Sequence, residues 1–288
     1  MSARRKKLRG RRKRDAESGG GRARWAEPIE PPECPEGWST GPPDFVGIGA
    51  QRSGTSWWYA GLEANDGVSR PPKRSKELHF FSRFWRGDRP ADLAAQYHRQ
   101  FPRQPGTLAG EWTPRYMHDY WSVPMLAEAA PATRLLVLLR DPIERYRSGL
   151  AFAESRAEKA AAPLRLVQVA DAVSRSMYFE ELRHVARFFP RDQILVLQFE
   201  RCRQDPLGEM ARTCAYLGLE APAELPVAME RKRRARDKPE LAEAARAELV
   251  ERLSDDVRSL VGEWPQIDLG LWPNFSHLAD STGLKDSV

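Results

Sequence analysis

The chain is poor in cysteine, in long apolar runs and in lysine, and each scarcity excludes something. Its three cysteines among 288 residues, Cys34, Cys202 and Cys214, stand far apart with no C-x-x-C pair, which excludes a disulfide scaffold and the common zinc modules. No carboxylate cluster has metal-ligand spacing, so no metal is expected. No apolar run approaches the ~18 residues of a membrane-spanning helix, so no transmembrane segment is expected. The basic N-terminus runs into Gly19-Gly20-Gly21 and acids rather than an apolar stretch, which does not read as a secretory signal. A cytoplasmic location is the expectation. Only 9 of the 46 basic residues are lysine, and this arginine bias in an Ala- and Pro-rich chain points to a GC-rich bacterial genome.

What is present in quantity is charge, and it is unevenly placed. Eleven Lys/Arg and two acids between Met1 and Arg24 give that stretch +9 against +6 for the whole chain, leaving −3 on the remainder. The basicity belongs to an arm, which argues against nucleic-acid binding by a face of the fold itself. Residues 1–40 read as a basic, Gly/Pro-rich disordered tail, either merely solvated or touching an acidic partner or surface. Residues 41–275 read as the folded domain and 276–288 as a C-terminal tail. Short apolar runs at 44–49, 134–139 and 193–198 predict buried strands. Helical patterns follow at about Thr55–Ala64, from Pro142, and over Met177–Phe189, Pro206–Leu217 and Leu241–Val261. Strands with continuous apolar runs, alternating with helices, predict a three-layer α/β domain with a central parallel sheet flanked by helices.

Two stretches carry chemistry. Gly49-Ala-Gln-Arg-Ser-Gly54-Thr-Ser56 joins a strand to a helix with the glycine spacing of a P-loop, whose backbone N–H groups cradle an anion. Thr55 stands where a nucleotide triphosphatase carries its lysine, and a cation, Arg52, lies inside the loop instead. A kinase needs that lysine and a metal-binding acid, so the loop suggests another anhydride donor or a ligand-free glycine turn. The second stretch, Arg140 to Ser148, follows a buried strand at the sheet edge where α/β folds bind ligands. Arg140 and Ser148 can converge on one phosphate and Asp141 reads as a helix cap; Arg145 and Arg147 are each either a further ligand contact or a solvated helix charge, and Arg147 is read as solvated. Trp57 and Trp58 read as core packing.

Together these stretches resemble the sulfotransferases that use 3′-phosphoadenosine 5′-phosphosulfate (PAPS), and most closely the heparan-sulfate-type enzymes and their bacterial relatives. Gln51 to Ser56 is similar to their phosphosulfate loop, and Arg140-Asp-Pro-x-x-Arg-x-x-Ser148 to their 3′-phosphate motif. Lys76-Glu-Leu-His-Phe-Phe81 and Gly110-Glu-Trp-Thr-Pro-Arg-Tyr116 match two further segments, and the likeness covers about residues 44–272. The resemblance implies a P-loop-like fold and a PAPS-dependent sulfotransferase without a metal. It implies cofactor contacts from Arg52, Ser53, Gly54, Thr55, Ser56, Arg140 and Ser148. It makes Glu77 the general base, with partial burial expected to raise its pKa, and Arg52 and Lys76 the cations at the transferred group. His79 assists or forms a wall. One or two of Arg231 to Arg236 close over the nucleotide or form a solvated run. The acceptor is a hydroxyl, or an amine, of a carbohydrate, glycolipid or small molecule. Trp112 replaces an acceptor-contacting lysine, and Trp85, Tyr97 and Trp112 are the aromatics expected in the acceptor cleft. A P-loop phosphotransferase and a non-catalytic binding protein working through the basic arm remain the alternatives.

Overall fold

The computed structural model describes residues 29–71, 75–160, 163, 166–230 and 237–281. The basic arm proper, Arg231 to Arg236 and the last seven residues lie outside the described residues. In chain order the elements are β1 (Ser39–Thr40), β2 (Phe45–Gly49), α1 (Thr55–Glu63), α2 (Leu93–His98), β3 (Pro102–Arg103), β4 (Gly110–Trp112), α3 (Ser122–Ala129) and β5 (Arg134–Leu139). They continue with α4 (Pro142–Ala160), α5 (Leu166–Ser174), α6 (Tyr178–Val185), β6 (Ile194–Gln198), α7 (Phe199–Gln204), α8 (Pro206–Leu217), α9 (Val227–Glu230) and α10 (Glu243–Glu263).

The main sheet has four parallel strands in the order β4-β2-β5-β6, and β1 pairs antiparallel with β3 apart from it. Strand β5 shows why the apolar runs are unbroken. Leu135, Val137 and Leu139 join the core beneath α6 and α10, while Leu136 and Leu138 join the core beneath α1 and α8. A strand covered on both faces needs no polar alternation, so the three-layer α/β expectation is met. Trp58 is wholly buried and its indole N–H donates to Thr213 Oγ1 at 3.2 Å; that of the half-buried Trp57 donates to the Met229 carbonyl at 2.9 Å.

Strand β4 has no signal of its own in the sequence, because Gly-Glu-Trp is neither an apolar run nor an alternation. It forms by pairing with β2 in the register Phe45↔Gly110, Val46↔Glu111 and Gly47↔Trp112. Gly47 is required there, since a Cβ at that position would land on the Trp112 indole. Packed structure also crosses both expected domain boundaries. Ser39–Thr40 pairs with Pro102–Arg103, and Leu278 is buried because it closes the apolar core under Trp272 and Phe275.

Helix α6 is capped from a distant helix. Asp256 on α10 accepts from the Phe179 and Glu180 N–H groups at 3.1 and 3.4 Å, using a side chain where α6 has none of its own. Burial pushes the Asp256 carboxyl up to about 6 despite these bonds. A carboxyl raised in the folded state binds its proton more tightly there, so folding stability falls as pH rises from about 4 to about 6. Asp256→Asn removes this titration. The stability of the variant relative to wild type is expected to improve by up to about 3 kcal/mol between pH 4 and pH 7, read by urea unfolding at each pH.

Candidate active site

Strands β2, β4 and β5 run parallel, so their C-terminal ends deliver three loops to one edge of the sheet. The first is the P-loop-like turn. The Ala50 N–H donates to the Leu138 carbonyl at 3.0 Å, after which the chain turns through Arg52 at φ 72° and Gly54 at φ 92° into α1. Gly54 is required twice over: its backbone is left-handed, and a Cβ would stand 2.6 Å from the Phe199 ring. Ser53 departs from its expected part as a ligand contact. It is wholly buried and its N–H closes the turn onto the Ala50 carbonyl at 3.3 Å, so it shapes the loop.

Lys76 reaches into the turn from a separate segment. Its Nζ donates to Thr55 Oγ1 at 2.9 Å, Ser56 Oγ at 3.2 Å and Glu77 Oε1 at 3.2 Å. The loop that lacks a P-loop lysine in sequence thus receives one in space. Glu77 Oε2 lies 3.3 Å from His79 Nε2. Burial raises the Glu77 carboxyl, as expected, but the hydrogen bond from His79 and the charge of Lys76 more than offset it and leave it below the usual range. The expected rise toward neutrality is therefore corrected: Glu77 is ionised at neutral pH.

The third loop carries Arg140 and Ser148 to the same edge. Arg52 Nε donates to Ser148 Oγ at 3.4 Å, and the Arg52 guanidinium stacks over Phe152, 4.8 Å from the ring centre. Arg140 lies over Phe199 at 4.9 Å and 3.5 Å from Glu144, and its buried Nε has no partner among the described residues. Asp141 caps α4 as expected, its Oδ1 accepting from the Ile143 and Glu144 N–H groups at 2.9 and 3.2 Å.

The sequence misplaced several neighbours. Arg147 is no solvated charge: it pairs with Glu144 at 2.7 Å and its Nε donates to the Pro239 carbonyl at 2.9 Å. Arg145 is 1% exposed, and burial pushes its guanidinium down to about 10. Trp112 and Tyr97 are both at 0% exposure, so neither lines an open cleft; the Trp112 indole N–H donates to the Gly49 carbonyl at 3.2 Å. Of the three expected cleft aromatics, Trp85 alone is open, at 53%. Sequence reading also missed Lys238, which pairs with Glu144 beside Arg140. Nothing in its local sequence marks it, whereas Glu144 sits at helical spacing from both Arg140 and Arg147.

Two groupings of cation and hydroxyl thus stand at the turn, Arg52 with Ser148 and Lys76 with Thr55 and Ser56. Gly54→Ala is expected to weaken binding of adenosine 3′,5′-bisphosphate at least ~10-fold by calorimetry while far-UV circular dichroism stays unchanged, because the cost falls on one left-handed position and the Phe199 ring against it.

Comparison with known proteins agrees with this geometry. The family model described as "Sulfotransferase domain" matches residues 42–238. The chain is 28% identical over 190 residues to heparan sulfate glucosamine 3-O-sulfotransferase 6 of Homo sapiens, covering 62% of this chain and 52% of that one. It is 25% identical over 203 residues to the bifunctional heparan sulfate N-deacetylase/N-sulfotransferase 3 of Homo sapiens, covering 62% and 22% respectively. The chain therefore spans about half the length, or less, of the curated relatives it matches. The solved sulfotransferase from Alicyclobacillus acidocaldarius shares the fold with a TM-score of 0.62 at 21% identity, over 80% of this chain and 98% of that one. With more than half of its residues matched and the loops of the fold in place, the chain belongs to the sulfotransferase domain family.

Proposed function

We propose that this protein transfers a sulfuryl group from PAPS to a hydroxyl of a carbohydrate acceptor. The observation that carries the reading is the position of Lys76 Nζ, which touches the turn at Thr55 and Ser56 and the carboxylate of Glu77 at once. One ammonium thus joins an anion cradle to a base. Heparan sulfate sulfotransferases stand among the curated relatives, which supports a sugar acceptor. Trp112, buried where those enzymes are expected to carry a lysine, supports a less anionic one.

In this reading the donor supplies an activated sulfuryl group, and the protein positions and neutralises. Arg140 and Ser148 hold the 3′-phosphate. Arg52, Lys76 and the N–H groups at the start of α1 face the 5′ end, where charge builds on the bridging oxygen as the bond to sulfur breaks. Glu77 takes the acceptor's proton on a carboxylate oxygen, and His79 steadies that carboxylate from behind. A P-loop phosphotransferase fits less well, because the cation of the loop comes from Lys76 and Arg52 rather than from position 55.

A thermal-shift titration tests the donor. Adenosine 3′,5′-bisphosphate at ~100 times its Kd is expected to stabilise the fold by about 2.7 kcal/mol, with no comparable shift from ATP-Mg or AMP. Stabilisation by ATP-Mg alone would overturn the reading. Arg52→Ala and Arg140→Ala are each expected to lower bisphosphate affinity ~10- to 100-fold.

Transfer of radiolabelled sulfate from PAPS to a panel of glucosamine-containing, neutral and phenolic acceptors tests the chemistry. Glu77→Gln is expected to lower kcat at least ~10²-fold with bisphosphate binding intact. Because His79 and Lys76 hold Glu77 below the usual carboxylate range, the acid limb of kcat/KM is expected below the pH where an ordinary glutamate titrates.

A further inference from the structure

Three consecutive peptide N–H groups of the segment that carries Glu77 are received by side chains rather than by a strand ladder. Leu78 N donates to Glu111 Oε2 at 3.0 Å, His79 N to Thr113 Oγ1 at 3.2 Å and Phe80 N to Tyr116 Oη at 2.8 Å. The acceptors are themselves joined. Thr113 Oγ1 donates to Glu111 Oε2 at 2.5 Å, while the Tyr97 and Tyr116 hydroxyls donate to Oε1 at 2.9 and 3.0 Å. One buried carboxylate therefore accepts at least two bonds on each oxygen, which is how an acid is accommodated in a core.

This arrangement is more than core satisfaction, because of what it holds. The Trp112 N–H donates to the Lys76 carbonyl at 2.9 Å, so the stretch from Lys76 to Phe80 is gripped at four successive places by the segment Glu111 to Tyr116. Within that grip His79 is bent to φ 52°, a left-handed backbone that a histidine does not adopt without support. The bend turns its ring back onto Glu77. Glu111, Thr113, Tyr116 and Tyr97 are wholly buried, so none of them meets an acceptor.

We propose that Glu111, with Thr113 and Tyr116, is a positioning group for catalysis: the clamp sets the backbone of residues 78–80 so that Glu77 faces the anion cradle with His79 behind it. The inference rests on the reading of Glu77 as proton acceptor. Tyr116→Phe removes the acceptor of the Phe80 N–H, and Thr113→Val that of the His79 N–H. Each is expected to raise amide exchange at residues 78–80 ~10-fold or more. Each is also expected to lower kcat ~10- to 100-fold in transfer from PAPS to a glucosamine-containing oligosaccharide, with bisphosphate Kd and donor KM within ~2-fold of wild type. The acid limb of kcat/KM moves up as His79 leaves Glu77. Glu111→Gln is expected to retain more activity than Glu111→Ala, because an amide oxygen still receives the Leu78 N–H while its NH2 turns to the tyrosine hydroxyls. Should Glu111→Ala fail to fold, the Tyr116 and Thr113 variants decide.

Unchanged exchange at 78–80, or a loss of kcat that merely follows lost bisphosphate binding, overturns the clamp. Wild-type transfer by Glu77→Gln overturns the proposal through the base instead, so the two failures are told apart.

Discussion

Parallel pairing of β2 with β4 on one side and β5 on the other brings the glycine turn and the Arg140 stretch to one edge and fixes the segment that holds residues 76–80. Parallel strands end on the same edge, so the turn after Gly49, the segment after Trp112 and the helix start after Leu139 emerge side by side. The pairing itself depends on close approach. Gly47 leaves room for the Trp112 indole, and that indole bonds the Gly49 carbonyl at the root of the turn. The residue that replaces an expected acceptor contact has become a wedge between β4 and the phosphate loop.

The site is rich in cations, and the protein supplies its own counter-charges. Glu77 and the hydroxyls of Thr55 and Ser56 surround Lys76, and Glu144 gathers Arg140, Arg147 and Lys238. Burial and neighbouring charge pull against each other at both carboxylates. Burial alone raises Glu77 and Glu144, yet hydrogen bonds from His79, Lys238 and Arg147 hold both below the ordinary range. Two anions are thereby kept charged within a cluster of positive groups, which lets the cluster form without a bound ligand. Phe199 adds to this: its ring lies against both Gly54 and the Arg140 guanidinium, joining the glycine turn to the Arg140 stretch.

The segment that carries Lys76 and Glu77 has a different kind of support. Residues 76–80 belong to no strand or helix, and their peptide groups are satisfied by side chains of Glu111, Thr113 and Tyr116. A loop held in this way can place a carboxylate as rigidly as a secondary-structure element does, because each N–H has one partner at one distance. The motif around Glu111 is thus as much part of the site as the motif it grips, although its side chains never reach solvent.

The runs at 134–139 and 206–217 were legible to the residue, because a strand buried on both faces and a proline-led helix carry their signals locally. The glycine turn at 49–56 was marked by its spacing, and Lys76 and Glu77 by their likeness to a family segment; the structure brings Lys76 to Thr55 and Ser56 of that turn with Glu77 beside it. Tertiary structure alone decided β4, which exists only through its partner, and the fates of Arg145 and Arg147, which differ by half a turn of the same helix. It also decided that Tyr97 and Trp112 lie inside, that Lys76 fills the place of the missing lysine, and that Lys238 reaches Glu144. The physical reason is common to all of these. A strand run or a cap depends on neighbours in the chain, whereas burial, pairing and the balance of charge on a carboxylate depend on residues brought together from dozens of positions away.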